Sequence, residues 1–176
     1  MMGYKKYKII VFFLSFAILC GCALPSGMYS TPNEEMKQQM MTILQAVIDK
    51  DVNTIEELFC PYIKEHDEQL QEEITALFEF IDGDIISYDE PEVSRGGGTM
   101  AGLEGYVKMS MSARINVYTS TGKMYQLGYG AYPVYKEKPD YVGVTNMVVY
   151  DEGKYNRENG YPEEEIYRIF LPEMFE

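Results

Sequence analysis

From Leu103 to Val117 apolar residues fall at nearly every second position, and a run of that length specifies a long strand with one buried face. Leu103, Val107, Met109, Met111, Ala113, Ile115 and Val117 share one face, while Glu104, Lys108, Ser110, Ser112, Arg114 and Asn116 share the other. Such a strand needs a partner. Ser120-Thr121-Gly122 supplies a turn, after which Tyr125, Leu127, Tyr129 and Ala131 alternate again, so a hairpin is predicted. Lys136 to Asp140, with Pro139, turns the chain once more, and Val142 to Tyr150 reads as a third long strand whose mixed Val, Gly and Thr suit burial on both faces. Tyr155 to Glu165 is turn-rich, with Asn159-Gly160 as its tightest signal, and Ile166 to Leu171 is a candidate last strand.

Upstream the period is helical. Thr31-Pro32-Asn33-Glu34 has a capping residue, a proline suited to the first helical position and a glutamate able to close a capping box. Met36, Met40, Ile43, Leu44 and Val47 then form one apolar stripe. Asp49 to Thr54 starts like a calcium loop but has Thr54 where the loop needs glycine and Cys60 where it needs glutamate, so a capped turn is the better reading. Asn53 is expected to cap a short helix through Phe59, with Glu56 as its reciprocal partner. A third helix is expected from His66 or Asp67, with Leu70, Ile74, Leu77, Phe78 and Ile81 along one face and Gly83 as its stop. Ile85 to Asp89 reads as a short strand, and Glu90 to Gly102, with Pro91, Gly96-Gly97-Gly98 and Gly102, as a loop. Its glycines match neither a P-loop nor a dinucleotide fingerprint. A flexible crossing and a flap carrying Arg95 are the two readings of it.

These elements predict an α+β domain over residues 32–176, with N-terminal helices packed on a curved antiparallel sheet. Three helices, an Asp-rich turn before a short helix ending in Leu58-Phe59, and a curled sheet look like the nuclear-transport-factor-two-like (cystatin-like) cone. The stretch Leu77-Phe78-Glu79-Phe80-Ile81-Asp82-Gly83-Asp84-Ile85-Ile86-Ser87-Tyr88-Asp89, then the Gly-rich segment, a long strand and a Tyr-rich hairpin, resembles a family of Gram-positive lipoproteins known only as a domain of unknown function. The resemblance implies a fold and an address and carries no activity. It also implies a pocket between sheet and helices, which in some cone-fold relatives holds a general base.

The address is written at the start of the chain. Lys5, Lys6 and Lys8 precede an apolar run from Ile9 to Cys20, and Leu19-Cys20-Gly21-Cys22 resembles a bacterial lipobox. Residues 1–21 are then a lipoprotein signal peptide, Cys22 the lipid-attachment residue with acyl chains of the palmitate class, and 22–31 a Gly, Pro and Ser-containing tether. An uncleaved anchor would need ~20 apolar residues to cross the hydrocarbon, and an ordinary secreted protein would need an A-x-A-like site. The expected location is the extracytoplasmic face of the cell membrane, reached through lipid.

Of 15 Lys and Arg three leave with the signal, so 12 stand against 28 Asp and Glu and the mature net charge is minus 16. No Lys/Arg cluster suits a polyanion, so nucleic acid is excluded as a partner. Cys20 leaves and Cys22 is occupied, so only Cys60 remains as a thiol, read as a small buried apolar residue. His66 is the only histidine and sits between Glu65 and Asp67, where a solvated cap is the ordinary role. That leaves no ligand set for a metal, no Ser-His-Asp arrangement and no cofactor motif. Of the mature chain's 14 tyrosines 11 follow Gly105. Tyr88, Tyr125 and Tyr129 are the predicted pocket lining, because same-parity neighbours Ile86, Leu127 and Ala131 are apolar. The functional expectation is a non-catalytic binding module for an unknown small ligand. The alternatives are a surface carrying Lys108, Ser110, Ser112 and Arg114 that meets an envelope protein or a second copy, and an enzyme using a carboxylate such as Asp89.

Overall fold

The computed structural model describes residues 31–102, 105–154 and 166–172. The lipobox, Cys22 and the tether lie outside the described residues, as do Leu103, Glu104 and the turn-rich stretch 155–165. Helices α1 (Pro32–Asp49), α2 (Val52–Leu58), α3 (Pro61–His66) and α4 (Leu70–Phe80) come first. Strands β1 (Ile85–Tyr88), β2 (Glu92–Met100), β3 (Tyr106–Thr119), β4 (Met124–Tyr135), β5 (Gly143–Asp151) and β6 (Ile166–Phe170) follow. The architecture is α+β, with the helices on the N-terminal side of a six-stranded sheet ordered β1-β3-β4-β5-β6, and β2 also on β3. Every strand pair is antiparallel.

Local chemistry explains the helix ends. Thr31 caps α1 by accepting the Glu34 N–H at 3.3 Å, and Lys50 closes it in the left-handed region. The cap of α2 is Asp51, not Asn53: its carboxylate takes both the N–H and the hydroxyl of Thr54, at 3.1 and 2.6 Å. Helix α3 has no counterpart in the sequence reading; Pro61 at its first position starts it directly after Cys60. His66 therefore ends a helix instead of starting one, and α4 begins at Leu70 without a side-chain cap.

The largest departure is β2, because the segment read as a loop from Glu90 to Gly102 is a nine-residue strand on β3. Glycines signal loops only while nothing covers them. Here the Tyr106 ring lies so close to Gly98 that a Cβ there would sit 2.9 Å from Cε1, and a Cβ on Gly96 would sit 2.9 Å from Ser110 Oγ. Arg95 in turn donates to the Tyr106 hydroxyl at 3.2 Å and stands 5.7 Å from the ring centroid. Neighbouring side chains supply the packing that the bare backbone lacks. Val93 is the residue of β2 that packs against the core.

Met109, Met111, Ala113, Ile115 and Val117 of β3 are buried, as the period of two requires, together with Tyr125, Leu127, Tyr129 and Ala131 of β4. They meet the α1 stripe of Met36, Met40, Ile43, Leu44 and Val47 and the α4 stripe of Leu70, Ile74, Leu77 and Phe78. Strand β5 does not carry two buried faces: Val144, Met147 and Val149 are buried, while Asn146, Val148 and Tyr150 are only partly covered. The sheet therefore has a sealed side toward the helices and an open side away from them.

Candidate functional site

The sealed side holds two of the three tyrosines assigned to a pocket. Tyr125 is 1% exposed, and its hydroxyl accepts the Asp82 N–H at 3.1 Å. Tyr129 is 2% exposed and donates to the Met36 carbonyl at 2.8 Å, and burial holds its hydroxyl well above the ordinary tyrosine pKa. Tyr88 shares a row with Val117 and Tyr125 but stands on the sheet's edge strand, 49% exposed. Parity was read correctly for Tyr125 and Tyr129, yet both rings fill the core and both hydroxyls are committed to closing the fold. The structure does not gather the three into a lining.

The other chemistry-bearing residues are likewise accounted for. Cys60 is fully buried, and desolvation pushes its thiol pKa up. His66 is exposed, with its ring stacked on Tyr62 at 4.1 Å and Nδ1 2.8 Å from the Tyr62 carbonyl. Asp89 accepts from Asn116 Nδ2 at 3.0 Å and from the Tyr118 hydroxyl at 3.1 Å, on an exposed surface. That bond is the main reason the Tyr118 pKa lies above its ordinary value. Among the described residues no three His, Cys, Asp or Glu side chains come together as a metal site, and no helix is long and apolar enough to cross a membrane.

The open side carries a groove of about 630 Å³. Three rows of the sheet build it. Ser94, Ser112, Gly130 and Asn146 are partners across β2, β3, β4 and β5; Glu92, Arg114, Gly128 and Val148 form the next row; Asn116, Gln126 and Tyr150 the third. Two of the four residues of the exposed face named from sequence, Ser112 and Arg114, are in the lining. Lys108 instead sits over the rings of Tyr132 and Tyr135, 5.0 and 4.6 Å from their centroids.

The trough exists because β4 has no side chains at its centre. Gly128 and Gly130 fall on the parity opposite to Leu127 and Tyr129, so the middle strand is bare where its neighbours project. The two glycines differ in what holds them. A Cβ on Gly130 would lie 2.6 Å from Asn146 Oδ1, because a bulge between Gly130 and Ala131 breaks the ladder there. Side chains repair the break: Asn146 Oδ1 accepts the Gly130 N–H at 2.7 Å, and the Thr145 hydroxyl donates to the Gly130 carbonyl at 3.2 Å. Gly128 has no such neighbour, and a Cβ there would make only ordinary contacts at 3.5 Å or more. Neither backbone conformation nor crowding at Cβ requires glycine at 128, whose backbone is buried between its row partners Arg114 and Val148.

The electrostatics of the groove cancel. Arg114 and Glu92 pair at 2.7 Å across the two strands, and both are more than half exposed. Among the described residues the remaining polar lining is uncharged: Ser94, Ser112, Gln126, Asn146 and Tyr150, together with Tyr129, whose ring is turned into the core. This arrangement can hold a ligand by paired hydrogen bonds to its polar side chains. The sequence reading followed only the apolar parity of β4 and so missed the groove. The signal was present in Gly128 and Gly130, two glycines at alternate positions of a strand.

A family described as a domain of unknown function (DUF5104) matches residues 42–152, a span that includes every strand of the groove. No curated protein matches the chain.

Proposed function

We propose that this chain, which belongs to the DUF5104 family of domains of unknown function, is a lipid-anchored, extracytoplasmic, non-catalytic binding module that holds its ligand in the outer-face groove. The observation that carries this is Gly128. A glycine inside a strand costs stability relative to alanine, by roughly 0.5–1 kcal/mol, and here no steric need offsets that cost. Room for a ligand is the use that remains. The basic head, apolar run and Leu19-Cys20-Gly21-Cys22 support acylation at Cys22, and the Pro and Gly of the following segment support a tether between the lipid and the domain. Helices covering one side of a sheet bent by bulges in β4 and β5 support a nuclear-transport-factor-two-like cone, with the space between helices and sheet occupied by Tyr125 and Tyr129.

The test fills the groove. In Gly128→Val the branched side chain projects into the trough from a strand that tolerates it. A thermal-shift screen of the full-length, detergent-purified protein against cell-wall fragments, sugars, peptides and metals is expected to find a ligand class that raises the wild-type midpoint. Binding at ~100 times the dissociation constant adds ~2.7 kcal/mol, several degrees for a domain of this size. The shift is expected to vanish in Gly128→Val. A shift of equal size in the variant would move the site elsewhere. If no compound shifts the wild type while sedimentation shows a dimer that Gly128→Val dissociates, the groove is a contact between copies instead.

A further inference from the structure

Taking the groove as the binding site, we infer that its ligand is an uncharged oligosaccharide. Three properties of the lining point there. First, the charge is closed: Arg114 and Glu92 neutralise one another at 2.7 Å, and among the described residues no other charged side chain lines the groove. An anionic ligand would find no unmatched cation, in a chain whose formal net charge is already minus 13.

Second, the polar groups offer paired donors and acceptors. Gln126 gives one amide hydrogen to Asn116 Oδ1 at 3.2 Å, which leaves its Oε1 as an acceptor. Asn146 spends Oδ1 on the Gly130 N–H and keeps its amide hydrogens as donors. Arg114 commits Nε and Nη2 to the single Oε2 of Glu92, at 2.9 and 2.7 Å, which leaves Glu92 Oε1 as an acceptor and Arg114 Nη1 as a donor at the edge of the groove. Third, apolar surface lies beside those groups, with Val148 in the row of the buried Gly128 and the half-buried Tyr150 ring at one end of the trough. A pyranose presents just such a combination, with C–H groups on its faces and hydroxyls round its edge. An aromatic face takes the C–H side.

The backbone also argues against a peptide lying in the trough as an added strand. Strands β3, β4 and β5 are paired on both sides within the sheet, and the ladder groups freed by the bulge are taken by Asn146 and Thr145; β2, at the rim, pairs with β3 alone, so an added strand would extend the sheet beyond the rim instead of lying on the floor. Strand addition needs open N–H and C=O groups.

The experiment is titration calorimetry on the full-length protein with four probes: tetra-N-acetylchitotetraose, maltotetraose, an anionic hyaluronan tetrasaccharide and tetra-alanine. The expected result is binding of at least one neutral tetrasaccharide with a dissociation constant below about 1 mM. Its affinity should stay within twofold between ~50 and ~500 mM salt, because no net charge is matched. Tyr150→Ala and Gln126→Ala should each weaken it by tenfold or more with the unfolding midpoint unchanged. Should Tyr150→Ala lower the midpoint, Gln126→Ala alone carries the test. Tighter binding of the hyaluronan fragment, or of tetra-alanine, with loss in Gly128→Val would overturn the saccharide inference and leave the groove intact as the site. Saccharide binding that survives Gly128→Val and Gln126→Ala would overturn both. Absence of binding by every neutral sugar would overturn the inference alone.

Discussion

The two sides of this sheet are made by the same strands, residue by alternate residue, and they do opposite things with their polar groups. Toward the helices, Tyr125 and Tyr129 are buried and their hydroxyls satisfy backbone groups of Asp82 and Met36. Away from them, the positions between are Gln126, Gly128 and Gly130, and the surface is hollow. Large aromatic residues on an inward parity argue for a filled core as much as for a lined pocket, and burial decides between the two. Space for a ligand arises here by subtraction, from side chains that are absent.

The sharpest way to break the contrast is to truncate the sealed side. Tyr125→Ala is expected to destabilise the domain by about 3–5 kcal/mol, the range for removing a buried aromatic, because the ring is 1% exposed and packs edge-on to Phe80 at 6.1 Å. Chemical denaturation measures it. A loss below ~1 kcal/mol, with a changed ligand affinity, would restore the tyrosine to a binding role.

The second comparison is internal to the open side. Gly130→Ala is expected to cost about 1–3 kcal/mol, as overpacking does, since the new methyl would meet Asn146 Oδ1 at 2.6 Å and strain the bulge. Gly128→Ala is expected to be neutral or to stabilise by up to ~1 kcal/mol, given contacts no closer than 3.5 Å. Equal destabilisation by both would mean that Gly128 is structural and would remove the main support for the groove.

How far the sequence showed this follows from what each signal depends on. The parity of β3 and β4 and the stripes of α1 and α4 are local repeats, and the buried residues match them. Strand β2 was illegible because its order comes from Tyr106 and Ser110 on the neighbouring strand, residues ten or more positions away from the glycines they cover or support, except at Gly98. Helix α3 was missed because six residues hold too few turns for a period to show. For the site, the sequence offered Ser112 and Arg114 as an exposed face and offered the glycines of β4 without a role. Row partners such as Glu92 and Arg114 are 22 positions apart and meet only through register.

The sealed side has one flaw, and it makes the smallest prediction. Glu73 Oε2 on α4 is the buried side-chain oxygen that finds no hydrogen-bond partner among the described residues. It lies where Tyr167 of β6 donates its hydroxyl to the Glu73 carbonyl at 2.8 Å. Burial, and then the charge of Asp67, raise the Glu73 pKa above 4.5. The folded state therefore holds this proton more tightly than the unfolded chain does. Stability contributed by the neutral carboxyl is fully present below the unfolded pKa and is lost as pH rises through the folded one. Glu73→Gln, which cannot ionise, is expected to raise the unfolding midpoint at pH 7 by a degree or two, corresponding to less than about 1 kcal/mol. Near pH 4 the difference from wild type should close. Thermal melts of both proteins from pH 4 to pH 8 measure it. A gap that stays constant across that range would mean the gain comes from a new amide hydrogen bond, and a variant less stable at pH 7 would show that the ionised carboxylate has found a favourable partner on the helix side after all.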